Sequence, residues 1–124
     1  MRALIVDDSS FIRKYLRENL VRFGVTCVEA QNGSEGLEAL RADAGFDLLL
    51  TDVNMPQMNG LDFVKRLREE GLAPEMKVMM ITTETDDSFI SRALSFGADE
   101  FLMKPFTSQS LKEKLLLMGF PSAA

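Results

Sequence analysis

Five short apolar runs, separated by stretches with helical spacing, constrain this chain more than any other feature. The runs are Ala3 to Val6, Val25 to Val28, Phe46 to Leu50, Val78 to Ile81 and Phe101 to Met103. Each is too short for a helix and too continuous for a half-exposed strand. Each is therefore predicted to be a strand buried on both faces. Five helices are predicted between and after them. The first has Ile12, Leu16, Leu20 and Phe23 on one face, with Ser9 or Ser10 to cap it and Gly24 to stop it. The second runs from Ser34 through Leu37 and Leu40, after an Asn32–Gly33 turn. The third carries Leu61, Val64, Leu67 and Arg68 and ends at Gly71, shortly before Pro74. The fourth carries Phe89, Ile90, Ala93 and Leu94 and ends near Gly97. The fifth starts after Thr107, carries Leu111, Leu115 and Met118, and stops at Gly119 with Pro121 beyond. Strict alternation of strand and helix implies an α/β fold, a three-layer doubly wound (βα)5 with one five-stranded parallel sheet. A length of 124 residues, 46% of them hydrophobic, fits a single domain over residues 1–124.

Composition removes several classes of function. A net charge of -5 and a pI near 4.7 argue against nucleic acid or an anionic membrane as the partner. The apolar run after Met1–Arg2 is too short for a signal peptide or a membrane span. Cys27 is the one cysteine and closes no intrachain disulfide, so a reducing, cytoplasmic location is expected. Histidine is absent. Any step that needs a histidine base, ligand or phosphoryl carrier must take it from another molecule.

In open parallel sheets, ligands sit beyond the carboxyl ends of the strands. Asp7 and Asp8 follow the first run; Asp52 follows the third, and after it come Val53-Asn54-Met55-Pro56. Thr82, Thr83 and Glu84 follow the fourth, and Lys104 and Pro105 the fifth. Taken singly, these aspartates are ordinary turn formers and helix caps, Thr82 a β-branched strand residue and Lys104 a solvated flank. Taken together they gather three carboxylates, a hydroxyl and an ammonium on one edge. Two carboxylates about 4 Å apart repel by about 4 kcal/mol at an effective dielectric near 20, so the cluster needs protons or a cation. Three aspartates with few soft ligands suit a hard divalent ion such as Mg²⁺, which binds one or two carboxylates and phosphate oxygens and keeps several waters.

The motifs Val6-Asp7-Asp8-Ser9, Asp52-Val53-Asn54-Met55-Pro56 with Gly60, Thr82 with Glu84, and Lys104-Pro105-Phe106 occur in order along the whole chain. In this it resembles the response-regulator receiver domains of bacterial two-component signalling, particularly the stand-alone CheY-like members. The resemblance implies strand order 2-1-3-4-5. It implies a single-domain switch, not an enzyme acting on other molecules, that catalyses only its own phosphorylation and dephosphorylation. Asp52 would accept a phosphoryl group from a phosphohistidine on a histidine kinase or phosphotransfer protein. Asp8, Asp52 and the main-chain oxygen of Asn54 would bind Mg²⁺ directly, with Asp7 acting through water. Thr82 and Lys104 would bind the phosphoryl oxygens. Phe101 would be the switch aromatic, and the Lys104–Pro105 bond would be cis. Asn54 and Glu84 would tune dephosphorylation. The chain departs from the family at Thr83, where alanine or glycine is common, and the extra bulk narrows access to Asp52.

The resemblance also implies a downstream protein on the face formed by helix four, strand five and helix five, and a monomeric protein in a chemotaxis-like pathway. Helix four offers Phe89, Ile90, Ala93, Leu94 and Phe96, more apolar surface than one inward stripe needs. Helix one carries Arg13, Lys14, Arg17 and Arg22 against Glu18 alone, either a solvated face or a dock for an acidic patch on the phosphodonor. Met79, Met80 and Met103 are expected to fill core gaps. The alternatives are a phosphorelay intermediate, or the receiver fragment of a longer transcriptional regulator, although nothing after Phe120 looks like a linker. Two other classes fit less well. A small aspartyl-phosphate phosphatase of the haloacid dehalogenase type wants Asp-x-Asp after strand one. A flavodoxin-like module wants a hydroxyl- or glycine-rich loop there, and Asp7–Asp8 would repel a flavin phosphate.

Overall fold

A computed structural model describes residues 1–84 and 86–120. Its elements alternate without exception: β1 (Arg2–Val6), α1 (Ser10–Arg22), β2 (Thr26–Ala30), α2 (Gly33–Ala42), β3 (Leu48–Asp52), α3 (Gly60–Glu69), β4 (Lys77–Thr82), α4 (Asp87–Phe96), β5 (Glu100–Met103) and α5 (Ser108–Leu117). The five strands pair in parallel in the order β2-β1-β3-β4-β5, as the resemblance implied.

Side chains alternate across the sheet and build a core on each face. Leu4, Val6, Leu49, Val78 and Met80 join residues of α2, α3 and α4, among them Leu40, Phe63 and Phe89. Ala3, Ile5, Leu48, Leu50, Met79 and Ile81 join Leu16 and Leu20 of α1 and Leu111 and Leu115 of α5. Burying one such leucine or isoleucine is worth about 1.5–3 kcal/mol. Both faces therefore hold β1, β3 and β4 in register.

The expectation of strands buried on both faces holds for these three and fails at the edges. Thr26, Val28 and Glu29 of β2 are exposed, and β5 exposes Met103. Each edge strand pairs with one neighbour, so its outer side is open to solvent. Strand ends also shift: Val25 and Phe46 precede their strands, whereas Asp52 and Thr82 are the last residues of β3 and β4 instead of following them.

Helix termini follow local chemistry. Ser9, Asn32, Asn59, Asp86 and Thr107 are the N-caps, each accepting a main-chain N–H with its side-chain oxygen. Asn32 is thus a cap and α2 begins one residue earlier than predicted. Gly97 ends α4 with φ +114, a left-handed conformation that glycine adopts without strain. Pro121, expected beyond the last helix, lies outside the described residues. No helix among those described is long and apolar enough to cross a membrane.

Candidate functional site

The carboxyl edge of the sheet brings the predicted residues together. Asp52 ends β3, the strand flanked by β1 and β4, and is 6% exposed. Its Oδ1 accepts the Val53 main-chain N–H at 2.8 Å and the Lys104 ammonium at 3.0 Å. Among the described residues no hydrogen bond reaches Oδ2. The strand end is braced from below: the Gly60 N–H donates to the Val53 oxygen at 2.8 Å, and any Cβ at position 60 would collide with the main-chain oxygen of Asp52. Gly60 therefore lets the start of α3 sit directly against the acceptor strand.

Asp7 is 1% exposed. Its Oδ1 accepts the Ser9 N–H at 2.8 Å, while its Oδ2 is buried with no hydrogen-bond partner and lies 3.9 Å from Lys104 Nζ. Burial pushes the Asp7 carboxyl up to about 6; the Ser9 N–H opposes the rise, and the nearby Asp52 charge adds to it. Asp8 is exposed at the mouth. Carboxylate oxygens of Asp7, Asp8 and Asp52 all lie within 4.8 Å of one another. This donor set fits a hard divalent cation: three oxygen ligands, one ammonium that offsets only part of their charge, and a buried carboxylate oxygen left unpartnered.

Thr82, 1% exposed, lies at the end of β4. Its Oγ1 accepts the Glu84 N–H at 2.8 Å, which leaves the hydroxyl proton free to donate. The Lys104–Pro105 bond is cis. Asn54 and Glu84 line one polar cavity of about 310 Å³, together with Asn59, Asp86, Ser88 and Arg92. Thr83 lies elsewhere, in an apolar groove of about 450 Å³ between α1 and the β5–α5 loop, where Lys104 and Phe106 also contribute. Phe101 is half-buried and meets Phe89 of α4 edge-on, with centroids 6.3 Å apart.

Helix one differs from a plain charged face. Arg13 and Arg17 both bind Glu29 of β2, at 3.1 and 2.9 Å, and Arg13 Nη1 also donates to the main-chain oxygen of Asp7 at 2.6 Å. Sequence reasoning missed this contact. The available signal was Arg13 six residues past Asp7, opposite the acidic Glu29 one residue before the end of β2. Met79 and Met80 are fully buried, as expected of gap fillers, whereas Met103 is exposed.

The response regulator receiver domain model matches residues 3–116. The chain is 46% identical over 116 residues to chemotaxis protein CheY1 of Helicobacter pylori, which covers 93% of this chain and 94% of that protein. It is 42% identical to the chemotaxis protein CheY homolog of Campylobacter jejuni, covering 93% of this chain and 89% of that one. The structure of Vibrio cholerae chemotaxis protein CheY4 superposes with a TM-score of 0.87 at 34% identity, covering 94% and 96% of the two chains. The chain belongs to the family of response regulator receiver domains. Within it, this is a CheY-like response regulator, a signalling protein of the two-component type, similar to proteins of chemotaxis. That class takes its phosphoryl group from a histidine kinase and acts on a downstream effector.

Proposed function

We propose that Asp52 is the phosphoryl acceptor, that Mg²⁺ is held directly by Asp8, Asp52 and the Asn54 main-chain oxygen and through water by Asp7, and that phosphorylation alters binding on the α4–β5–α5 face. The observation that carries this reading is the ion pair of Lys104 with Asp52 Oδ1 inside the acidic trio. With Oδ1 held by Lys104 and the Val53 N–H, Oδ2 is the oxygen free to attack. A bond forms from that oxygen to phosphorus as the phosphorus–nitrogen bond of the donor's phosphohistidine breaks, and the imidazole leaves. No base is needed, because a carboxylate carries no proton to remove; the work is positioning and charge neutralisation. Lys104 offers its ammonium and Thr82 its hydroxyl proton to the phosphoryl oxygens. Mg²⁺ bound among the aspartates supplies the remaining positive charge.

The test is intact mass after incubation with a small phosphodonor and Mg²⁺. One phosphoryl group is expected on the wild type and none on Asp52→Ala. Retention of the added mass in the variant refutes the assignment. Chemotaxis is favoured over a phosphorelay by the likeness to chemotaxis proteins over nearly their whole length.

A further inference from the structure

Asp7 is restrained at nearly every polar atom. Its N–H donates to the Ala30 oxygen at 3.2 Å, and its Oδ1 accepts from Ser9. Its main-chain oxygen, beyond the last pairing of β1, accepts from Arg13 Nη1 at 2.6 Å. That guanidinium is itself fixed from behind, since its Nε donates to Glu29 Oε1 at 3.1 Å while Arg17 holds Glu29 Oε2 at 2.9 Å. The Arg13 side chain is only 13% exposed, so this is no freely waving surface pair. Two different nitrogens of one planar group thus tie the edge strand β2 to the loop that carries Asp7 and Asp8. The charges that shift the Asp7 carboxyl are those of Asp52, Lys104 and Asp8. Arg13 reaches Asp7 through the main chain.

We propose that Arg13, braced by Glu29, is a positioning residue that clamps the main-chain oxygen of Asp7 and thereby holds the Asp7–Asp8 pair in the geometry that binds Mg²⁺. The proposal rests on the reading of the acidic trio as a Mg²⁺ site. Residues that orient metal ligands without touching the metal commonly contribute a factor of about 10–100 to affinity. A guanidinium suits this role because its Nε and Nη1, held apart in one rigid fork, reach acceptors on two elements, whereas lysine has a single nitrogen on a flexible stem.

The experiment is a calorimetric Mg²⁺ titration of the full chain, with amide NMR shifts of Asp7, Asp8 and Ser9 followed in parallel. Arg13→Ala is expected to weaken Mg²⁺ about tenfold, and Arg13→Lys to recover only part of that loss. Glu29→Gln is expected to weaken binding less than Arg13→Ala, and Arg17→Ala to leave it unchanged. Amide shifts of Asp7 and Asp8 are expected to move in metal-free Arg13→Ala while the β3 and β4 amides stay in place, which separates local repositioning from general unfolding. Wild-type affinity in Arg13→Ala overturns the proposal, as does an equal loss in Arg17→Ala, which would make the effect one of helix charge. A wild-type chain that binds no Mg²⁺ overturns the site reading itself.

Discussion

Lys104 Nζ stands 3.0 Å from Asp52 Oδ1, an ion pair between residues 52 apart in sequence, and the same ammonium is 3.9 Å from Asp7 Oδ2. One cation from the β5–α5 loop thus offsets two buried carboxylates from different strands. Lys104→Met leaves both uncompensated. Without Mg²⁺ the variant should lose about 1–3 kcal/mol of stability, and Mg²⁺ should restore more stability to it than to the wild type. Urea unfolding in EDTA and in excess Mg²⁺ measures both effects. Equal stability of variant and wild type in EDTA would contradict this account.

Asp7 gives the metal-free protein a distinctive pH response. Its carboxyl rises from 3.8 to about 6 on folding. Between those values the folded state binds the proton more tightly than the unfolded chain, so stability from this group rises as pH falls through 6 and levels off near 4. The full shift corresponds to at most about 3 kcal/mol. Asp7→Asn should therefore be more stable than wild type at pH 7 in EDTA, and should lack the gain on acidification to pH 5. Because a protonated Asp7 no longer offers its charge to the cation or to a water bound on it, Mg²⁺ affinity should climb with pH through 6. A wild type that loses stability from pH 7 to 5.5 in EDTA, with Asp7→Asn following it, would remove Asp7 as the cause.

Thr82 and Phe101 should respond as a pair. On the proposed reading, phosphorylation should draw the Thr82 hydroxyl toward the phosphoryl group and free room into which Phe101, now edge-on to Phe89, can turn. Thr82→Ala should still accept the phosphoryl group but show a weaker response. NMR shifts at Phe101 and along α4 provide the readout. Identical shifts in phosphorylated wild type and variant would end the coupling idea.

The phosphoryl group should be short-lived. Asn54 and Glu84 line one polar cavity, which Val53 next to Asp52 also lines; both are unbranched at Cβ and should be able to hydrogen-bond a water approaching the acyl phosphate. Thr83 lines the groove beside α1 together with Lys104, the residue hydrogen-bonded to Asp52, so its bulk is the feature that opposes this expectation. Asn54→Arg should lengthen the lifetime by filling that cavity, and Asn54→Ala should change it less. A dephosphorylation time course in excess Mg²⁺ decides the point, and survival of the wild-type phosphoryl group for hours would favour a slow regulator.

Much of this was legible in the sequence because the strand ends carry the chemistry. Apolar runs located every strand to within two residues, and the polar residues after them are the ones that gather at one sheet edge. What escaped notice depends on three-dimensional neighbours. Arg13 looked like part of a solvated run because Glu29 and the Asp7 oxygen approach it from other elements. The exposure of β2 was hidden because Val25 to Val28 is apolar, and only strand order makes it an edge. The closeness of Gly60 to Asp52 leaves no periodic trace, since it comes from the path of the β3–α3 loop.

Strand order also separates the proposed acceptor from the proposed output edge. β3 is hydrogen-bonded on both sides, to β1 and β4, whereas β5 has β4 alone. The sheet therefore carries a gradient of mechanical constraint, stiff at its middle and softer at its rim. A chemical event at Asp52 has little freedom to displace its own strand. On the proposed reading, the response would instead appear two strands away, where Phe101 of β5 meets Phe89 of α4 and small rearrangements would disrupt the fewest sheet bonds. The architecture would then resemble a tuning fork gripped at the stem, with a still struck point and a free edge.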